Sequence, residues 1–381
     1  MKEQLYYSDS YCTEFTSEIT SCTAEADGFR VSLEPCGFYP GGGGAPADKG
    51  TIAGHPILSA DEHSCTFVIG EALEVGAKVE CRVDWDFRLD YMRQHTAEHI
   101  VSGLLHTMTG GDNVGFHMSD DTVTVDWSVE LTQEQLLECE NRANAAAMRN
   151  LPVTATIYPE APDIPYRSKR EIADEIRLVT IEGIDVCACC AMHVARTGEV
   201  GMIRITDSMR WKGGTRLTML AGDRALRDAQ TVAAQNRSVG QMVSAKPYET
   251  AAAVRAALDA AESVKASNTA LRKRINELRA ETLKNIPGAI LLFEDDLSPE
   301  ELRHLTLRLT EDRPDRVAVF TGSDDAGYRY AIASTSIDVR ALTKALNAAC
   351  NGRGGGTAAL TQGSVKGTRE EIERQFAIGN L

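Results

Sequence analysis

His95 and His99 stand four residues apart in Met92-Arg93-Gln94-His95-Thr96-Ala97-Glu98-His99, and Cys189 and His193 repeat that step in Cys187-Ala188-Cys189-Cys190-Ala191-Met192-His193. On a helix, a four-residue step puts two side chains on one face, one turn apart. Three imidazoles and a thiolate form a donor set suited to tetrahedral zinc. Cys187 and Cys190 are alternative thiolates, but only Cys189 keeps the four-residue step to His193. A His3Cys set leaves the ion one net positive charge, enough to act as a Lewis acid on a carbonyl or a bound water. Four protein ligands ordinarily make a closed structural site. Catalysis then requires one ligand to be loose or absent, or zinc to serve mainly in positioning the substrate.

His95-x-x-Glu98-His99 also matches the inverted zinc-peptidase motif, whose glutamate is the general base. A peptidase of that class wants a downstream glutamate as third ligand, whereas the obvious remaining donors here are Cys189 and His193. Glu98 lies between two ligands on one helix, a placement that can aim it away from the metal. His117 and Asp126 are candidate pocket-wall residues, although a strand position facing solvent or core is the simpler account of each.

The elements that must carry these residues can be read from their patterns. Residues 1–90 are expected as a small β-barrel or sandwich. Phe29–Leu33 and Cys65–Ile69 are β-branched or aromatic runs between turn residues, and Val79–Trp85 alternates. Within it, Gly41-Gly42-Gly43-Gly44 frees the backbone for positive φ and close approach to a ligand. No Gly-Lys-Ser/Thr follows, so it is not a phosphate loop. Residues 91–222 are expected as an α+β domain. It holds a helix Asp90–His106 ended by Gly110-Gly111, strands at Gly115–Met118 and Thr122–Trp127, and a helix Leu131–Arg149. Further strands are expected at Val153–Tyr158, Ile176–Ile181, Gly201–Thr206 and Arg216–Ala221. Residues 223–285 read as a helical spacer broken at Lys246-Pro247. Its seam of Val254, Leu258, Ala261, Val264, Leu271, Ile275 and Leu278 suits a hairpin or coiled coil. Residues 286–381 read as a small α/β domain: strands Ala289–Phe293, Arg316–Phe320 and Arg329–Ala333, helices at 299–312 and 338–350, and a second glycine run, Gly352-Arg353-Gly354-Gly355-Gly356.

Composition bounds the function. At 381 residues, 43% hydrophobic and 25% charged, the chain suits a soluble protein of two or three domains. No apolar run approaches the ~20 residues that cross a bilayer, and the first residues lack the apolar core of a signal peptide. The expected compartment is the cytoplasm, with no membrane partner. There the ten cysteines stay reduced, the scattered ones mostly as small buried groups and the trio at 187, 189 and 190 as metal-binding or catalytic. A net charge of −15 argues against nucleic acid as a partner. The C-terminal third is nevertheless locally basic, with Arg340, Lys344, Arg353, Lys366 and Arg369 uninterrupted by acids.

Taken together, His95-Thr96-Ala97-Glu98-His99 and Cys189-x-x-x-His193-Val194-x-x-Thr197-Gly198-Glu199-Val200-Gly201 resemble the editing domain of alanyl-tRNA synthetase and its free-standing relatives, the alanyl-tRNA editing hydrolases. Phe38-Tyr39-Pro40 with the following glycines, and Asp48-x-Gly50-x-Ile52, are similar to that family's glycine-rich motif. Gly352-Arg353-Gly354-Gly355-Gly356 with Gln362-Gly363 resembles the synthetase's DHH-associated C-terminal domain. The order of the three motifs, with no aminoacylation domain ahead of them, corresponds to the family's long free-standing form.

The resemblance implies that zinc is held by His95, His99, Cys189 and His193. It implies hydrolysis of the ester of tRNA(Ala) mischarged with serine or glycine, serving translation fidelity. It also implies tRNA binding and self-association, as a homodimer, through the C-terminal domain. Backbone amides of Gly42, Gly43 and Gly44 are then expected near the terminal adenosine or the oxyanion, with His117 at the pocket wall. Arg353 and Lys366, beside flexible glycines, suit phosphates of the tRNA body; Arg204, Arg210, Lys212 and Arg216 could line the path. Two departures stand out: Ala45 precedes Pro46 where the family has Gln-Pro, and Ala191-Met192-His193 replaces Gly-Thr-His. Each removes a polar group near the expected pocket. Two other readings are a tRNA-binding module with structural zinc, which would show no turnover, and a peptidase dependent on Glu98 and indifferent to tRNA.

Overall fold

The computed structural model describes residues 4–377 except 63, 169–174, 312 and 314. The chain divides into two compact units, Met1–Ser238 and Val239–Leu381.

After a short helix α1 (Leu5–Ser8), six strands close a barrel: β1 (Glu14–Glu25), β2 (Gly28–Glu34), β3 (Gly50–Ile52), β4 (His55–Ala60), β5 (Thr66–Ile69) and β6 (Lys78–Val83), in the order β1-β2-β5-β4-β3-β6. Alternate residues point inward, as the two-residue strand period requires. They fill the barrel with Ile19, Val31, Leu33, Phe67, Ile69 and Cys81, together with Phe38 and Ile52. The expected strands Phe29–Leu33, Cys65–Ile69 and Val79–Trp85 correspond to β2, β5 and β6. The longest strand, β1, was not legible: in Glu14–Glu25 only Ser17 and Ile19 are buried, so its apolar alternation is nearly absent.

The central helix α2 (Trp85–Thr109) follows directly. It begins at Trp85 rather than Asp90 because the Asp84 side chain accepts a hydrogen bond from the Phe87 amide at 3.1 Å. It ends at Gly110, in the left-handed conformation. Strands β7 (Asn113–Met118) and β8 (Val123–Trp127), helix α3 (Gln133–Met148), and strands β9 (Val153–Tyr158), β10 (Ile176–Ile181) and β11 (Asp185–Ala188) come next. A 3-10 turn (Thr197–Val200), strands β12 (Ile203–Trp211) and β13 (Gly214–Ala221), and helix α4 (Gly222–Met242) complete the run. Two antiparallel sheets result, β12-β13-β8-β7 and β11-β10-β9. Val123, Val125, Trp127, Leu217 and Met219 share one core with Ile100, Val101 and Leu105 of α2 and with Leu136, Cys139 and Ala143 of α3.

Buried polar groups tie α2 to its surroundings. Gln94 exchanges two hydrogen bonds with the Ala221 main chain, at 2.9 and 2.8 Å. Arg88, fully buried, pairs with Asp48 and donates to the carbonyls of Ser10, Cys12 and Gly37. Asp48 also accepts from the Tyr39 amide at 2.6 Å. One ion pair therefore locks the entry to the glycine run, the N-terminal segment and the first turn of α2.

The second unit contains α5 (Thr250–Leu283), β14 (Ile290–Glu294), α6 (Pro299–Thr310), β15 (Val317–Ser323), β16 (Gly327–Ala333), α7 (Val339–Ala349), β17 (Arg353–Gly356), β18 (Leu360–Val365) and α8 (Arg369–Ala377). Its sheet runs β14-β15-β16-β18-β17, with β14 and β15 parallel and the other pairs antiparallel. α6 ends at Thr310, and the expected helical end at 312 lies outside the described residues. One expectation is corrected here. The run Gly354–Gly356 is not a flexible loop but an edge strand paired to Thr361–Gly363. A Cβ at Gly354 or Gly363 would meet the Tyr330 hydroxyl at 2.4 Å, so the missing side chains make room for that ring. Along α5, Leu258, Val264, Leu271, Ile275 and Leu278 of the expected seam are all exposed within the single chain. The overall class is mixed α+β with a six-stranded barrel, and among the described residues no helix is long and apolar enough to cross a membrane.

Replacing Asp48 by alanine strands the Arg88 charge in a dry interior. The expected cost is about 3–5 kcal/mol of unfolding free energy, to be read from urea denaturation of the wild type and Asp48→Ala.

Candidate metal centre

His95 and His99 share one face of α2, and the loop after β11 brings Cys189 and His193 onto it. Arg177 holds that loop by donating to the carbonyls of Cys189 and Ala191, both at 2.9 Å. The Cys189 amide donates to the Arg177 carbonyl at 3.0 Å. Tyr7 adds a hydrogen bond to the Cys190 carbonyl at 2.8 Å.

The donor atoms of His95, His99, Cys189 and His193 all lie within 4.8 Å of one another. The Cys189 Sγ is 3.6 Å from His95 Nε2 and 3.5 Å from His193 Nε2. With a metal–nitrogen distance of about 2.05 Å and a metal–sulfur distance of about 2.3 Å, an ideal tetrahedral zinc has nitrogen–sulfur edges of about 3.6 Å. The residues fit zinc in type and in spacing.

The electrostatics prepare the same ligands. Burial alone would raise the Cys189 pKa, but the surrounding imidazoles, His95 foremost, pull it well below the ordinary thiol value and favour the thiolate. Burial pushes the Cys187 thiol up to about 11, in contrast to Cys189. For His99, burial is overridden by hydrogen bonds to Asp185 and Cys189, and its pKa stands well above the usual imidazole range. Burial and repulsion from His95 and His99 lower His193 to about 3.

An outer ring of partners carries no spacing signal, and sequence reasoning missed it. Asp185 Oδ2 lies 3.0 Å from His99 Nδ1, and Arg167 grips the same carboxylate at 2.7 and 2.8 Å. Thr96 Oγ1 lies 3.1 Å from His193 Nδ1 and also accepts from the Val194 amide. Gly103 is what lets Asp185 come so near: a Cβ there would meet the Ile184 carbonyl oxygen at 2.4 Å. His99, Asp185 and Cys187 form a second donor group. Because Arg167 and His99 already occupy the Asp185 carboxylate, that group serves the first one. The residues after the last ligand are scaffold. Thr197 bonds the Ala146 carbonyl and the Leu151 amide, and Glu199 accepts from Tyr11 and the Arg196 amide.

The other predicted site residues are placed less uniformly. Gly41 to Gly44 all have positive φ, and Gly42 and Ala45 close a tight turn. A Cβ on Gly43 would meet Cys190 Sγ at 3.2 Å, and one on Gly44 the Phe116 ring at 2.5 Å. Phe116 in turn stacks on His95, with centroids 5.4 Å apart. The glycine turn therefore borders the centre. His117, the next residue along β7, is exposed and is not brought to the cluster; Phe116 occupies the wall position expected of it. Asp126 is paired with Arg216 at 2.6 Å. Glu98 does not aim away from the cluster: it is buried, its Oε1 accepts from Ser102 and Asn113, and its Oε2 is 4.0 Å from His99 Nε2. Ala45 and Met192, the two departures from the family pattern, line one small cavity with Tyr39, Phe87 and Tyr91. Arg204, Arg210 and Arg216 are spent on Asp228, Glu130 and Asp126. Arg353 and Lys366 belong to the second unit, exposed and without ion pairs among the described residues.

Comparison with known proteins agrees with this architecture. Residues 176–220 match the threonyl and alanyl tRNA synthetase second additional domain, and residues 285–377 match the DHHA1 domain. Two segments of the chain thus match known families, the first of them a domain of threonyl and alanyl tRNA synthetases that includes Cys189 and His193. The chain is 24% identical to the alanyl-tRNA editing protein Aarsd1 of Danio rerio over 390 residues, covering 96% of this chain and 95% of that one. It is 31% identical to the alanyl-tRNA editing protein AlaX-L of Pyrococcus horikoshii over 218 residues, 54% of each chain. It is 30% identical to the alanine–tRNA ligase of Pyrobaculum neutrophilum over 402 residues, 98% of this chain and 44% of that one. The chain is thus similar over nearly its whole length to alanyl-tRNA editing proteins.

Two outcomes are expected here. Without metal, His99 keeps its proton to a pH above the usual imidazole range, so zinc uptake must displace that proton and apparent affinity must rise with pH. Calorimetric titration at pH 7 in buffers of different ionisation enthalpy reads the released proton. Gly103→Ala, by pushing Asp185 off His99, is expected to weaken zinc about 10–100-fold, as read by chelator competition.

Proposed function

We propose that this protein hydrolyses the ester bond of mischarged tRNA(Ala), releasing serine or glycine, with zinc bound by His95, His99, Cys189 and His193. The observation that carries the zinc reading is the set of four donors within 4.8 Å of one another, with two nitrogen–sulfur distances at the value zinc requires, beside a backbone turn of consecutive glycines. Similarity to the alanyl-tRNA editing proteins supplies the substrate class. Zinc, when bound, supplies the positive charge that draws an ester carbonyl. The chain's own residues do the rest. An ester needs little help for its leaving group, so orienting water and stabilising the oxyanion can suffice. The amides of Gly43 and Gly44, free of side chains, are suited to hydrogen-bond the terminal adenosine or the oxyanion, whereas the Gly42 amide, also expected there, is already donated to the Ala45 carbonyl at 3.0 Å. Glu98, fixed by Ser102 and Asn113, offers an acceptor for the attacking water.

In the second unit, Lys344, Arg353 and Lys366 are exposed cations outside ion pairs among the described residues, available to tRNA phosphates. Arg272, Arg279, Arg340 and Arg369, by contrast, are already paired with acids. The uncovered α5 seam supports self-association through this unit as a homodimer. None of the ten cysteines is joined in a disulfide, which suits the reducing cytoplasm.

The test is deacylation of Ser-tRNA(Ala), Gly-tRNA(Ala) and Ala-tRNA(Ala), with zinc content assayed in the wild type and Cys189→Ala. Loss of the mischarged species, sparing Ala-tRNA(Ala) and failing in the variant, is expected. Zinc and tRNA bound without turnover would replace this reading with a binding module. Glu98→Gln is expected to keep its zinc and lose about 100-fold or more in deacylation rate.

A further inference from the structure

The three imidazoles of the centre are not held alike. A zinc-bound histidine ordinarily donates its second ring N–H to a carboxylate, carbonyl or other oxygen, which fixes the ring and strengthens it as a ligand. His99 has Asp185 at 3.0 Å, itself clamped by Arg167. His193 has Thr96 at 3.1 Å. His95 has nothing: its Nδ1 is buried and without a hydrogen-bond partner among the described residues, although the residue is only 3% exposed. What holds the His95 ring is stacking, on Phe116 at 5.4 Å and 18°, and on His193 at 4.5 Å and 28° between planes. Stacking tolerates sliding and rotation that a directional hydrogen bond does not. The His95 side of the centre is also the side bordered by the glycine turn, because Phe116 contacts Gly44.

We propose that His95 is the exchangeable ligand of the metal centre, and that His99, Cys189 and His193 form its permanent grip. Four protein ligands close a zinc site, whereas hydrolytic sites keep three and leave one position for the reacting group. With His95 as the ligand that gives way, one donor set serves both states. The closed set protects the metal, and the opened set presents the vacated position toward the glycine turn, where an aminoacyl ester can enter. Asp185 and Thr96 are then positioning residues that decide which ligands stay. The inference rests on the editing reading for the identity of the incoming group, but not for the ranking of the ligands.

That ranking is measured without turnover. His95→Ala, His99→Ala and His193→Ala are each loaded with zinc and titrated against a chelator. His95→Ala is expected to hold zinc within about tenfold of the wild type, the lower bound for disturbing a ligand's support. His99→Ala and His193→Ala are each expected to lose at least a further tenfold. Equal losses across the three overturn the proposal. Should a variant fail to fold, the wild type answers alone: with cobalt in place of zinc, added imidazole is expected to shift the visible bands as it replaces His95. Bands unchanged by imidazole mean a centre closed in all four positions, and the proposal is then wrong. Deacylation of Ser-tRNA(Ala) by the same preparations tests the editing reading separately. Activity with unranked ligands refutes the inference alone, and ranked ligands without activity refute the editing reading alone.

Discussion

Everything near the centre answers to one constraint: three imidazoles and a thiolate confined within 4.8 Å, in a setting almost closed to water. Such a group is costly to bury unless its charges compensate each other and its polar atoms are bonded. The chain meets the first condition with a thiolate set among imidazoles. It meets the second with Asp185, Thr96 and Arg167, placed so that two of the three rings are fixed from behind. A bound cation of matching geometry satisfies the whole set, so metal binding and local stability become one quantity.

The surrounding architecture delivers these groups by buried polar clamps rather than by apolar packing alone. Arg88 and Asp48 join the N-terminal segment, the glycine turn and the start of α2, so the barrel and α2 keep a fixed relation. Arg177 shapes the loop carrying Cys189 and His193 by gathering its carbonyls. Gly103 lets a strand end approach the helix closely enough for a carboxylate to reach an imidazole. Thr197 and Glu199 are bound into neighbouring main chain, which is why the motif containing His193 extends well beyond it.

The second unit is built on different terms. Its sheet is covered by amphipathic helices, with Leu302, Leu305 and Leu309 of α6 packed on Val317, Val319 and Ala331. At its edge the glycine strand lies directly over Tyr330. That arrangement presents Arg353 on a fixed backbone, in contrast to the freedom that glycine composition suggests.

The sequence by itself pointed to the four donor residues that the structure gathers, to the helix that carries two of them, to a barrel or sandwich at the N-terminus, and to the resemblance to alanyl-tRNA editing proteins. These follow from residue type and short-range spacing, and helical periodicity is a local property. Where local pattern was weak, reading failed: polar β1 left no alternation, and the glycines of β17 resembled a loop because their reason is a tyrosine 24 residues upstream of Gly354. Only the tertiary structure decided that Asp185 and Thr96 brace His99 and His193, that Phe116 rather than His117 faces the centre, and that Ala45 and Met192 meet in one cavity. Each of those contacts joins segments far apart in the chain, across a strand register or a close approach of backbones. No spacing rule along the sequence encodes them, since they exist only once the core has packed.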